Sequence, residues 1–391
     1  MGEEILSEAL TWAEIDLAAY RHNIAELRRA TRLDSKFMAV VKANGYGHGA
    51  IAVSQGALEA GADWLGVARL HEAVELREAG IEAPILIFGL TPAEEIDTLL
   101  DLDLTQAVFT RETAEALAAE ASLRGKQVRV HIKVDTGMGR LGLLTDEPRA
   151  EEATASAAKH RFDQVRTIAI LPGLEVEGLF THFATADHAE KSYAERQLQR
   201  FDDLVERLKQ EGIEFPMNHA ANSAALLDMP DSHLDMVRPG IATYGLYPSA
   251  EVDQSRVELK PVMEWKARII QLKEVPAGFG VSYGITYETP RPTRLATVAV
   301  GYADGLNRGL SCRGEMLVKG QRVPIVGRIC MDLTLLDVGE VPGATEGDEV
   351  VILGRQGDEA LAADEMATTL DTINYEIVST IASRVPRIYL R

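Results

Sequence analysis

Cationic and hydrogen-bonding side chains stand at the ends of several apolar segments in this chain of 391 residues. In chain order they are Lys42, Arg69, Arg140, His182, Asn222, Ser223 and Arg238. Lys42 is unusual because it follows the apolar run FMAVV and precedes the glycine-rich run ANGYGHG. A desolvated lysine has a lowered pKa and can act as a Schiff-base nucleophile or as a base. By position alone, a lysine that caps a surface loop is equally compatible, and Arg69 is interpreted as structural.

Short apolar segments alternate with amphipathic helical segments from about residue 35 to residue 247. This pattern is typical of a parallel sheet that is covered by helices on both faces. The eight strand candidates are residues 36–44, 64–69, 85–90, 104–110, 128–135, 175–182, 215–222 and 234–245. Eight strands fit a (β/α)8 barrel better than an open doubly wound sheet. Because reactive groups of such a barrel gather at the carboxyl ends of its strands, the cations would meet at one mouth and bind an anionic ligand.

The sequence pattern changes after about Val257. Segments rich in β-branched residues, alternating in polarity and interrupted by Gly and Pro, cover residues 263–275, 294–303, 315–338 and 348–354. They predict a mainly antiparallel second domain that ends in a helical segment near residues 364–383. We therefore predict an α/β protein with two domains, residues 1–258 and residues 259–391.

The composition excludes several classes of protein. The chain carries 40 Lys and Arg against 60 Asp and Glu, and this net charge of −20 disfavours nucleic acid and anionic membranes as partners. Its two cysteines, Cys312 and Cys330, cannot form a disulfide framework, and no Cys/His spacing indicates a metal site. The acidic N-terminal segment lacks the pattern of a signal peptide, and no apolar stretch approaches the ~20 residues that span a bilayer. We therefore expect a cytoplasmic protein without a metal.

Nine sequence blocks, in order along the chain, resemble the motifs of the alanine racemases. They are VVKANGYGHG (40–49), HIKVDTGMGRLG (131–142), EGLFTHFATAD (177–187), NHAANSAA (218–225), VRPGIATYG (237–245), VSYGITY (281–287), VGYADG (300–305), VGRICMD (326–332) and INYEI (373–377). The resemblance implies interconversion of L- and D-alanine with pyridoxal 5'-phosphate, which supplies D-alanine for peptidoglycan. It also implies an N-terminal (β/α)8 barrel, a mainly β C-terminal domain that includes the first strand (about residues 11–17), and a homodimer with shared active sites.

The resemblance implies a two-base mechanism. Lys42 matches the lysine that binds the cofactor covalently and acts as one catalytic base. Tyr283, in VSYG, matches the tyrosine that acts as the opposite base and belongs to the partner subunit. Racemisation requires bases on both faces, because one removes the α-proton and the other returns a proton from the opposite side. The ordinary pKa values of lysine (~10.4) and tyrosine (~10) are too high for this work, so neighbours must tune them.

Further positions match the residues that bind the cofactor in this family. They are Lys42, Tyr46, Arg140, His182, Asn222, Ser223, Arg238, Gly240, Ile241 and Tyr375. Arg238 matches the arginine that faces the pyridine nitrogen of the cofactor, with His182 bonded behind it. Because a guanidinium does not readily give up a proton, the pyridine nitrogen is expected to stay unprotonated. The cofactor would then be a weaker electron sink, which favours racemisation over transamination.

The resemblance also implies a substrate site. Arg140 matches the arginine that contacts the cofactor and the substrate carboxylate, and the backbone of Met331 from the partner subunit matches a second contact to that carboxylate. Lys133 matches a lysine that is carbamylated in some family members. Such a carbamate would turn repulsion between Lys133 and Arg140 into attraction. The positions that match the family's substrate corridor are Asp187, Tyr302, Arg308 and Arg328.

Three alternative functions remain open at this point. A racemase for another small amino acid, such as serine, would share these blocks, although Tyr375 and Met331 favour a small pocket. A fold-type III amino-acid decarboxylase would place an acidic residue near the pyridine nitrogen and lack VSYG, so Arg238 and Tyr283 argue against it. A non-enzymatic cofactor carrier would resemble the barrel alone, whereas this chain has a second domain with a candidate base.

Overall fold

The computed structural model describes residues 9–145 and 155–391, which divide between two compact units. One unit, named here the barrel unit, contains residues 20–45 and 53–260. The other, named the β unit, contains the residues up to 19, residues 46–52 and residues 261–391. The described chain begins with strand β1 (Thr11–Asp16) and helix α1 (Leu17–Ala30). Both units are therefore assembled from segments that are distant in sequence.

The sheet of the barrel unit consists of eight principal parallel strands and one additional two-residue strand. In chain order its strands are β2 (Lys36–Val40), β3 (Trp64–Val67), β4 (Ile85–Ile87), β5 (Thr105–Val108), β6 (Val128–Asp135), β7 (Leu143–Leu144), β8 (Leu174–Phe180), β9 (Met217–His219) and β10 (Met236–Val237). Their order is β10-β2-β3-β4-β5-β6-β8-β9, with β7 beside β6. Backbone hydrogen bonds from Asp235 N–H to the Asn218 carbonyl and from Arg238 N–H to the Ala221 carbonyl link β9 to β10 and nearly close the sheet. The predicted (β/α)8 barrel is confirmed.

Helices alternate with these strands. They are α2 (Ala50–Glu59), α3 (Leu70–Glu78), α4 (Ile96–Asp101), α5 (Arg111–Leu123), α6 (Ala155–Ala169), α7 (Ser192–Gln210) and α8 (Ser223–Asp228). In α7 the buried residues Ala194, Gln197, Phe201, Leu204 and Leu208 recur every three or four positions, so one face of this helix is buried. Within the described ranges, no helix has the length and apolar character that a membrane crossing requires.

Apolar side chains from seven of the eight principal strands pack together in the interior of the barrel. A buried cluster takes one residue from each of them: Met38, Trp64, Leu86, Ala107, Phe180, Met217 and Met236. Strand β6 instead contributes His131, which is fully buried, and Lys133, which is 6% exposed. Buried polar groups need hydrogen-bond or charge partners. Strand β6 therefore brings polar groups into the interior, as β9 does with the fully buried His219.

The β unit is built around one large, mostly antiparallel sheet. Its elements beyond β1 are β11 (Met263–Val275), β12 (Gly280–Val281), β13 (Tyr287–Glu288), β14 (Thr293–Val298), β15 (Glu315–Val318), β16 (Gln321–Pro324), β17 (Thr334–Asp337), β18 (Glu349–Gln356), β19 (Glu359–Leu361), α9 (Ala363–Leu370), α10 (Asn374–Ser379) and β20 (Arg387–Leu390). The main order is β16-β15-β18-β11-β1-β20. Strand β1 pairs antiparallel with β11 and parallel with β20. The predicted mainly β C-terminal domain is confirmed.

Most strand predictions for the barrel unit extended too far, including two that run into predicted site residues. The segment 36–44 forms a strand only to Val40, and the segment 234–245 forms the two-residue β10 followed by a 3-10 helix, Ile241–Tyr244. The first segment leaves the strand through a run of left-handed backbone at residues 43–46, and in the second Gly240 precedes the 3-10 helix. In both places the chain stops being a strand where predicted site residues begin.

Candidate active site

Lys42 follows β2 and begins an unusual left-handed turn. Residues 43, 44, 45 and 46 have φ values of 54°, 54°, 60° and 51°. Of these, only Gly45 adopts such a backbone without steric cost; each of the other three costs roughly 1–2 kcal/mol. Strain of this kind persists only where the surroundings determine the backbone, and it is concentrated at functional sites.

The carboxylate of Glu72 holds the start of this turn. Its Oε1 accepts a hydrogen bond from Ala43 N–H at 2.6 Å, and its Oε2 accepts from Ala68 N–H at 2.7 Å and Arg69 N–H at 2.9 Å. One acid therefore ties the residue after Lys42 to the segment that leads into α3. Burial and the charge of Arg140 lower the pKa of Lys42, and the negative charge of Glu72 opposes this effect only in part. Arg69 contributes here through its backbone, in keeping with a structural role.

Four cationic side chains at the mouth of the barrel act on His182: Lys42, Lys133, Arg140 and Arg238. Three of them, Lys42, Arg140 and Arg238, also act on Lys133. Burial, followed by repulsion from the two arginines, lowers the pKa of Lys133 to about 8. Burial and all four cations hold the pKa of His182 well below its ordinary value, so this ring is neutral near pH 7. Charges that are partly removed from water are costly unless opposite charge compensates them. The mouth is therefore suited to an anionic ligand.

A loop that closes on Asp135 places Arg140. Asp135 Oδ1 accepts hydrogen bonds from the N–H groups of Gly137, Met138 and Gly139 at 2.9, 2.8 and 3.2 Å. The chain after β6 thus wraps around one carboxylate, and Arg140 follows this wrapped loop in an exposed position. The acid supports the arginine by shaping its backbone.

Ser223 brings together backbone donors from two loops. The preceding Asn222 caps α8, because its Oδ1 accepts from Ala225 N–H at 3.0 Å. Ser223 Oγ accepts from Gly240 N–H at 2.9 Å and from Ala242 N–H at 3.3 Å. The start of α8 and the turn that begins at Gly240 and Ile241 therefore lie side by side. Backbone N–H groups at helix starts attract anions, and they do so without formal positive charge.

Arg238 is 5% exposed. Its Nη1 donates to His219 Nδ1 at 2.8 Å, and its Nη2 donates to the carbonyls of Thr181 and Ala220 at 2.8 and 3.1 Å and to His182 Nδ1 at 3.3 Å. Within the part of the chain that the structure describes, these acceptors are all neutral. Burial lowers the pKa of Arg238 to about 9. The contact with the predicted His182 is present, but the shorter bond goes to His219, which the sequence analysis did not select.

Two other predicted cofactor residues lie in the β unit. The ring centroids of Tyr46 and Tyr375 are 6.2 Å apart, and Tyr46 is 9% exposed. An added Cβ on the neighbouring Gly47, which has a φ of +85°, would lie 3.1 Å from the carbonyl carbon of Val378. The segment after the left-handed turn is therefore packed closely against the backbone of helix α10.

Tyr283 lies in the β unit on an exposed, strained turn. Its side chain is 72% exposed, and both Ser282 and Ile285 beside it have left-handed backbone, with φ values of 61° and 47°. Ser282 Oγ donates to the Arg328 carbonyl at 2.6 Å and so joins two predicted site loops. A large aromatic residue held in this way, yet largely uncovered, is available to contact another molecule.

A second loop pair in the β unit connects Tyr302 and Met331. Tyr302 N–H donates to the Cys330 carbonyl at 3.0 Å, and Ala303 N–H donates to the Met331 carbonyl at 2.9 Å. Tyr302 is 43% exposed and Met331 is 54% exposed. Of the other corridor candidates, Arg308 and Arg328 are exposed in the β unit, and Asp187 is half-buried in the barrel unit.

Comparisons with known proteins agree with this architecture. The sequence matches the family "Alanine racemase, N-terminal domain" over residues 15–248 and the family "Alanine racemase, C-terminal domain" over residues 262–389. The alanine racemase of Desulfosudis oleivorans is 55% identical over 98% of this chain and 97% of its own length. That of Desulforamulus reducens is 50% identical over 97% of this chain and 98% of its own length.

Solved structures give the same result. The alanine racemase of Clostridium difficile superimposes with a TM-score of 0.89 at 37% identity, over 98% of this chain and 96% of the other. The alanine racemase of Bartonella henselae, solved with covalently bound pyridoxal phosphate, gives a TM-score of 0.84 at 28% identity over 98% and 100% of the two chains.

A (β/α)8 barrel unit together with a mainly β unit is the architecture on which these solved alanine racemases superimpose. The family matches cover most of both units and assign the chain to the same class of protein. The chain belongs to the alanine racemase family, and the resemblance predicted from its motifs is confirmed.

Replacing Gly142 with alanine should unfold the loop that carries Arg140. Gly142 has a φ of +136°, and an added Cβ would lie 2.6 Å from backbone atoms of Val134 and Asp135. We expect a loss of about 2–4 kcal/mol in the free energy of unfolding, measured by chemical denaturation. The control is Gly139→Ala in the same loop, where φ is +71° and an added Cβ meets no atom within 4 Å. This variant should lose only about 1 kcal/mol; equal losses would contradict the steric explanation.

Proposed function

We propose that this chain interconverts L-alanine and D-alanine with pyridoxal 5'-phosphate, at a site that takes Lys42 from one subunit and Tyr283 from the other. The observation that carries the proposal is the cluster of four cations at one mouth of the barrel, of which Lys42 is one. The cofactor and the amino acid together present a phosphate, a phenolate oxygen and a carboxylate, so they supply the negative charge that this mouth lacks. When bound, the cofactor withdraws electrons from the α-carbon of alanine and so acidifies its C–H bond.

The residues of the barrel unit fit this cofactor. The lowered pKa of Lys42 increases the fraction of neutral amine that can form the covalent link. Ser223 and the N–H groups near Gly240 and Ile241 are suited to hold a phosphate. We include Asn222 because it orients Ser223 as a helix cap. From the β unit, Tyr46 and Tyr375, whose rings are neighbours, are proposed as two further hydroxyl donors.

Arg238 is suited to face the pyridine nitrogen. A guanidinium has donors and no acceptor, so it can only donate to a ring nitrogen that carries no proton. Its contacts with His219 and Thr181 restrict the movement of its planar head. His182 beside it is neutral and can only weakly offset the charge of Arg238. Arg238 is thus expected to limit electron withdrawal by the cofactor and to favour return of the proton to the α-carbon.

The exposure of Tyr283 supports a shared site. A group that moves a proton to or from the α-carbon must be shielded from water, whereas Tyr283 is 72% exposed in its own chain. Met331, at 54% exposure, and Tyr302, at 43%, lie on loops of the same unit. Coverage of these residues by a second copy would create a two-fold symmetric homodimer with two equal sites. In each site Lys42 would move a proton at one face of the α-carbon, and the hydroxyl of Tyr283 of the partner subunit would move a proton at the other.

The substrate carboxylate is proposed to lie between Arg140 and the backbone of Met331 from the partner subunit. Asp187, Tyr302, Arg308 and Arg328 are proposed to line the route by which alanine enters, and the product D-alanine is proposed to serve peptidoglycan synthesis. A single assay separates the alternatives: the purified protein is incubated with L-alanine, L-serine and L-lysine, and the products are resolved by chiral chromatography. Racemisation of serine faster than alanine would exclude the proposed substrate, and release of carbon dioxide would favour a decarboxylase.

Lys42→Ala should abolish racemisation and remove the covalent link to the cofactor. The reason is that the variant lacks both the linking amine and one base. The measurement is borohydride reduction followed by mass spectrometry, which detects a cofactor fixed to a lysine. Lys42→Arg keeps the positive charge and should also fail, whereas Lys209→Ala, at an exposed position of α7, should behave as wild type. A reducible link in Lys42→Ala would exclude Lys42 as the linking residue.

Lys133 is proposed to be carbamylated. Its pKa of about 8 leaves a substantial neutral fraction near pH 7, and a neutral amine can attack carbon dioxide, forming an N–C bond and releasing a proton. The resulting anion would lie among Lys42, Arg140 and Arg238 and would reduce their mutual repulsion. We expect a ¹³C NMR signal of a carbamate when the enzyme is kept in ¹³C-labelled bicarbonate, and no such signal in Lys133→Gln. Retention of the signal in that variant would assign the carbamate to another lysine.

Mixing two inactive variants tests the shared site. Tyr283→Phe removes the phenolic proton but keeps the ring, so we expect a loss of ~10²–10⁴-fold in kcat with the cofactor still bound. After subunit exchange with Lys42→Ala, half of the dimers are hybrids, and each hybrid has one intact site of two. Roughly a quarter of wild-type activity should therefore return at equal mixing. If mass spectrometry verifies exchange and no activity returns, both bases belong to one chain and the shared site is wrong.

A further inference from the structure

Three polar residues continue inward from Arg238 through the barrel core. Arg238 Nη1 lies 2.8 Å from His219 Nδ1, and His219 Nε2 lies 2.8 Å from His131 Nδ1. His131 Nε2 in turn lies 4.0 Å from Glu177 Oε2. Both imidazoles are fully buried. The chain of contacts joins four residues on four different strand segments.

The contacts determine where each imidazole carries its proton. A guanidinium can only donate, so His219 Nδ1 must accept and His219 must carry its proton on Nε2. That proton points at His131 Nδ1, which must accept in turn, so His131 carries its own proton on Nε2. Neither ring can be cationic, because a second proton would face a donor. Burial also lowers the pKa of both rings, that of His131 to about 3.

The series therefore ends in one unsatisfied donor. His131 Nε2 is buried and has no hydrogen-bond acceptor among the described residues. The Glu177 carboxylate at 4.0 Å is too far for a hydrogen bond but close enough for a strong electrostatic contact in a desolvated interior. All the donors run in one direction, from the cation Arg238 to the anion Glu177.

Strand β8 is shaped locally to bring Glu177 to this place. Val130 pairs with Val176, but the next residue, His131, pairs with Gly178, so Glu177 is the extra residue of a β-bulge. Bulges of this kind re-aim a side chain and are frequent beside active sites. At Gly178 an added Cβ would lie 2.7 Å from His131 Nδ1 and 2.8 Å from its Cε1. The absence of a side chain at Gly178 therefore leaves room for the His131 ring.

The neighbours of Glu177 fix the position of its carboxylate but offset its negative charge only in part. Thr105 Oγ1 donates to Glu177 Oε2 at 3.1 Å, and Arg129 Nη1 lies 3.8 Å from Oε1. Burial raises the pKa of Glu177, whereas Arg129, Thr105 and Lys36 lower it and Glu175 raises it further. The side chain is 18% exposed, so the carboxylate is only partly screened by water.

We propose that Glu177 and His131 are positioning residues, which act through His219 to hold Arg238 in its orientation and in its cationic form. Glu177 is the remote counter-charge of a buried arginine that has only neutral acceptors in direct contact. The two neutral imidazoles transmit its effect, because a donor polarised by an anion makes its own acceptor nitrogen more basic. The inference rests on the proposed role of Arg238 at the cofactor ring.

The first test reads the two tautomers directly. The full-length enzyme, as purified, is labelled with ¹⁵N-histidine, and long-range ¹H–¹⁵N correlation distinguishes protonation at Nε2 from protonation at Nδ1. Resonances are assigned by their disappearance in His131→Gln and His219→Gln. We expect neutral rings with the proton on Nε2 at both positions. A proton on Nδ1 of either ring, or a cationic ring, would overturn the donor order. This readout does not depend on activity, so it stands even if the enzyme does not racemise alanine.

The second test removes the counter-charge. Glu177→Gln keeps the shape of the side chain, and its matched control is Glu175→Gln, two residues away on the same strand and exposed. We expect the ¹⁵N resonance of His219 Nδ1 to move in Glu177→Gln, since that nitrogen becomes a weaker acceptor for Arg238. We also expect a fall in kcat of about tenfold, the scale at which outer partners of a site group act. The KM for alanine should change little, because Arg238 does not contact the substrate. A Glu177→Gln variant that matches Glu175→Gln in both readouts would overturn the proposal.

A third pair of variants separates the donor chain from simple packing. His131→Gln retains an acceptor and a donor in the same side chain, whereas His131→Leu retains neither. If the chain acts on Arg238, His131→Gln should keep a larger share of kcat than His131→Leu, and only the leucine variant should shift the His219 resonance strongly. Circular dichroism verifies that each variant is folded. Equal losses in two folded variants would reduce His131 to a packing residue, and if either fails to fold, the tautomers and Glu177→Gln still decide.

Discussion

The concentration of positive charge in a partly desolvated barrel mouth is the constraint on which the rest of the site depends. Lys42, Arg140 and Arg238 all act on Lys133, and burial makes the charges of Lys42, Lys133 and Arg238 more costly. The carboxylate oxygens of two acids near the mouth, Glu72 and Asp135, accept hydrogen bonds from backbone N–H groups. They therefore shape the loops that carry the cations and leave most of the positive charge uncompensated. A site built in this way is complete only with an anion.

The same constraint explains why the barrel interior is not uniformly apolar. Seven strands contribute packing residues to the central cluster, while β6 contributes His131 and Lys133. Lys133 adds to the charge of the mouth, and His131 connects the mouth to a deeper level of the barrel. The bulge at Glu177 and the missing side chain of Gly178 are local departures from a regular strand that this connection requires. Strand β8 thus departs from regular pairing at the place where the buried polar groups of the barrel need partners.

Much of the fold could be predicted, because apolar strands alternating with helices have few stable arrangements. The ends of the apolar segments also located Lys42 and Arg238, and the family motifs then gave their expected roles. His219 and Glu72 were missed for a physical reason: neither stands at the end of an apolar run, and their importance lies in which atoms they contact. Glu72 bonds the backbone of Ala68 and Arg69 as a residue of the first turn of its helix, but no spacing in the sequence indicates its bond to Ala43, 29 residues away. The left-handed run at residues 43–46 was also missed, since Ala43 and Tyr46 at its two ends are residues that rarely adopt this backbone.

The β unit includes β1 and residues 46–52 as well as the C-terminal part of the chain. Gly47 is packed against the backbone at Val378, and β1 pairs with β11 and β20. A single cut near residue 260 would therefore not separate two complete modules. In recombination between homologues, a transplanted C-terminal part would meet a foreign β1 and a foreign 46–52 segment at the centre of its own sheet and beside its own helix α10. Such chimeras should succeed only when these three pieces of sequence are inherited together.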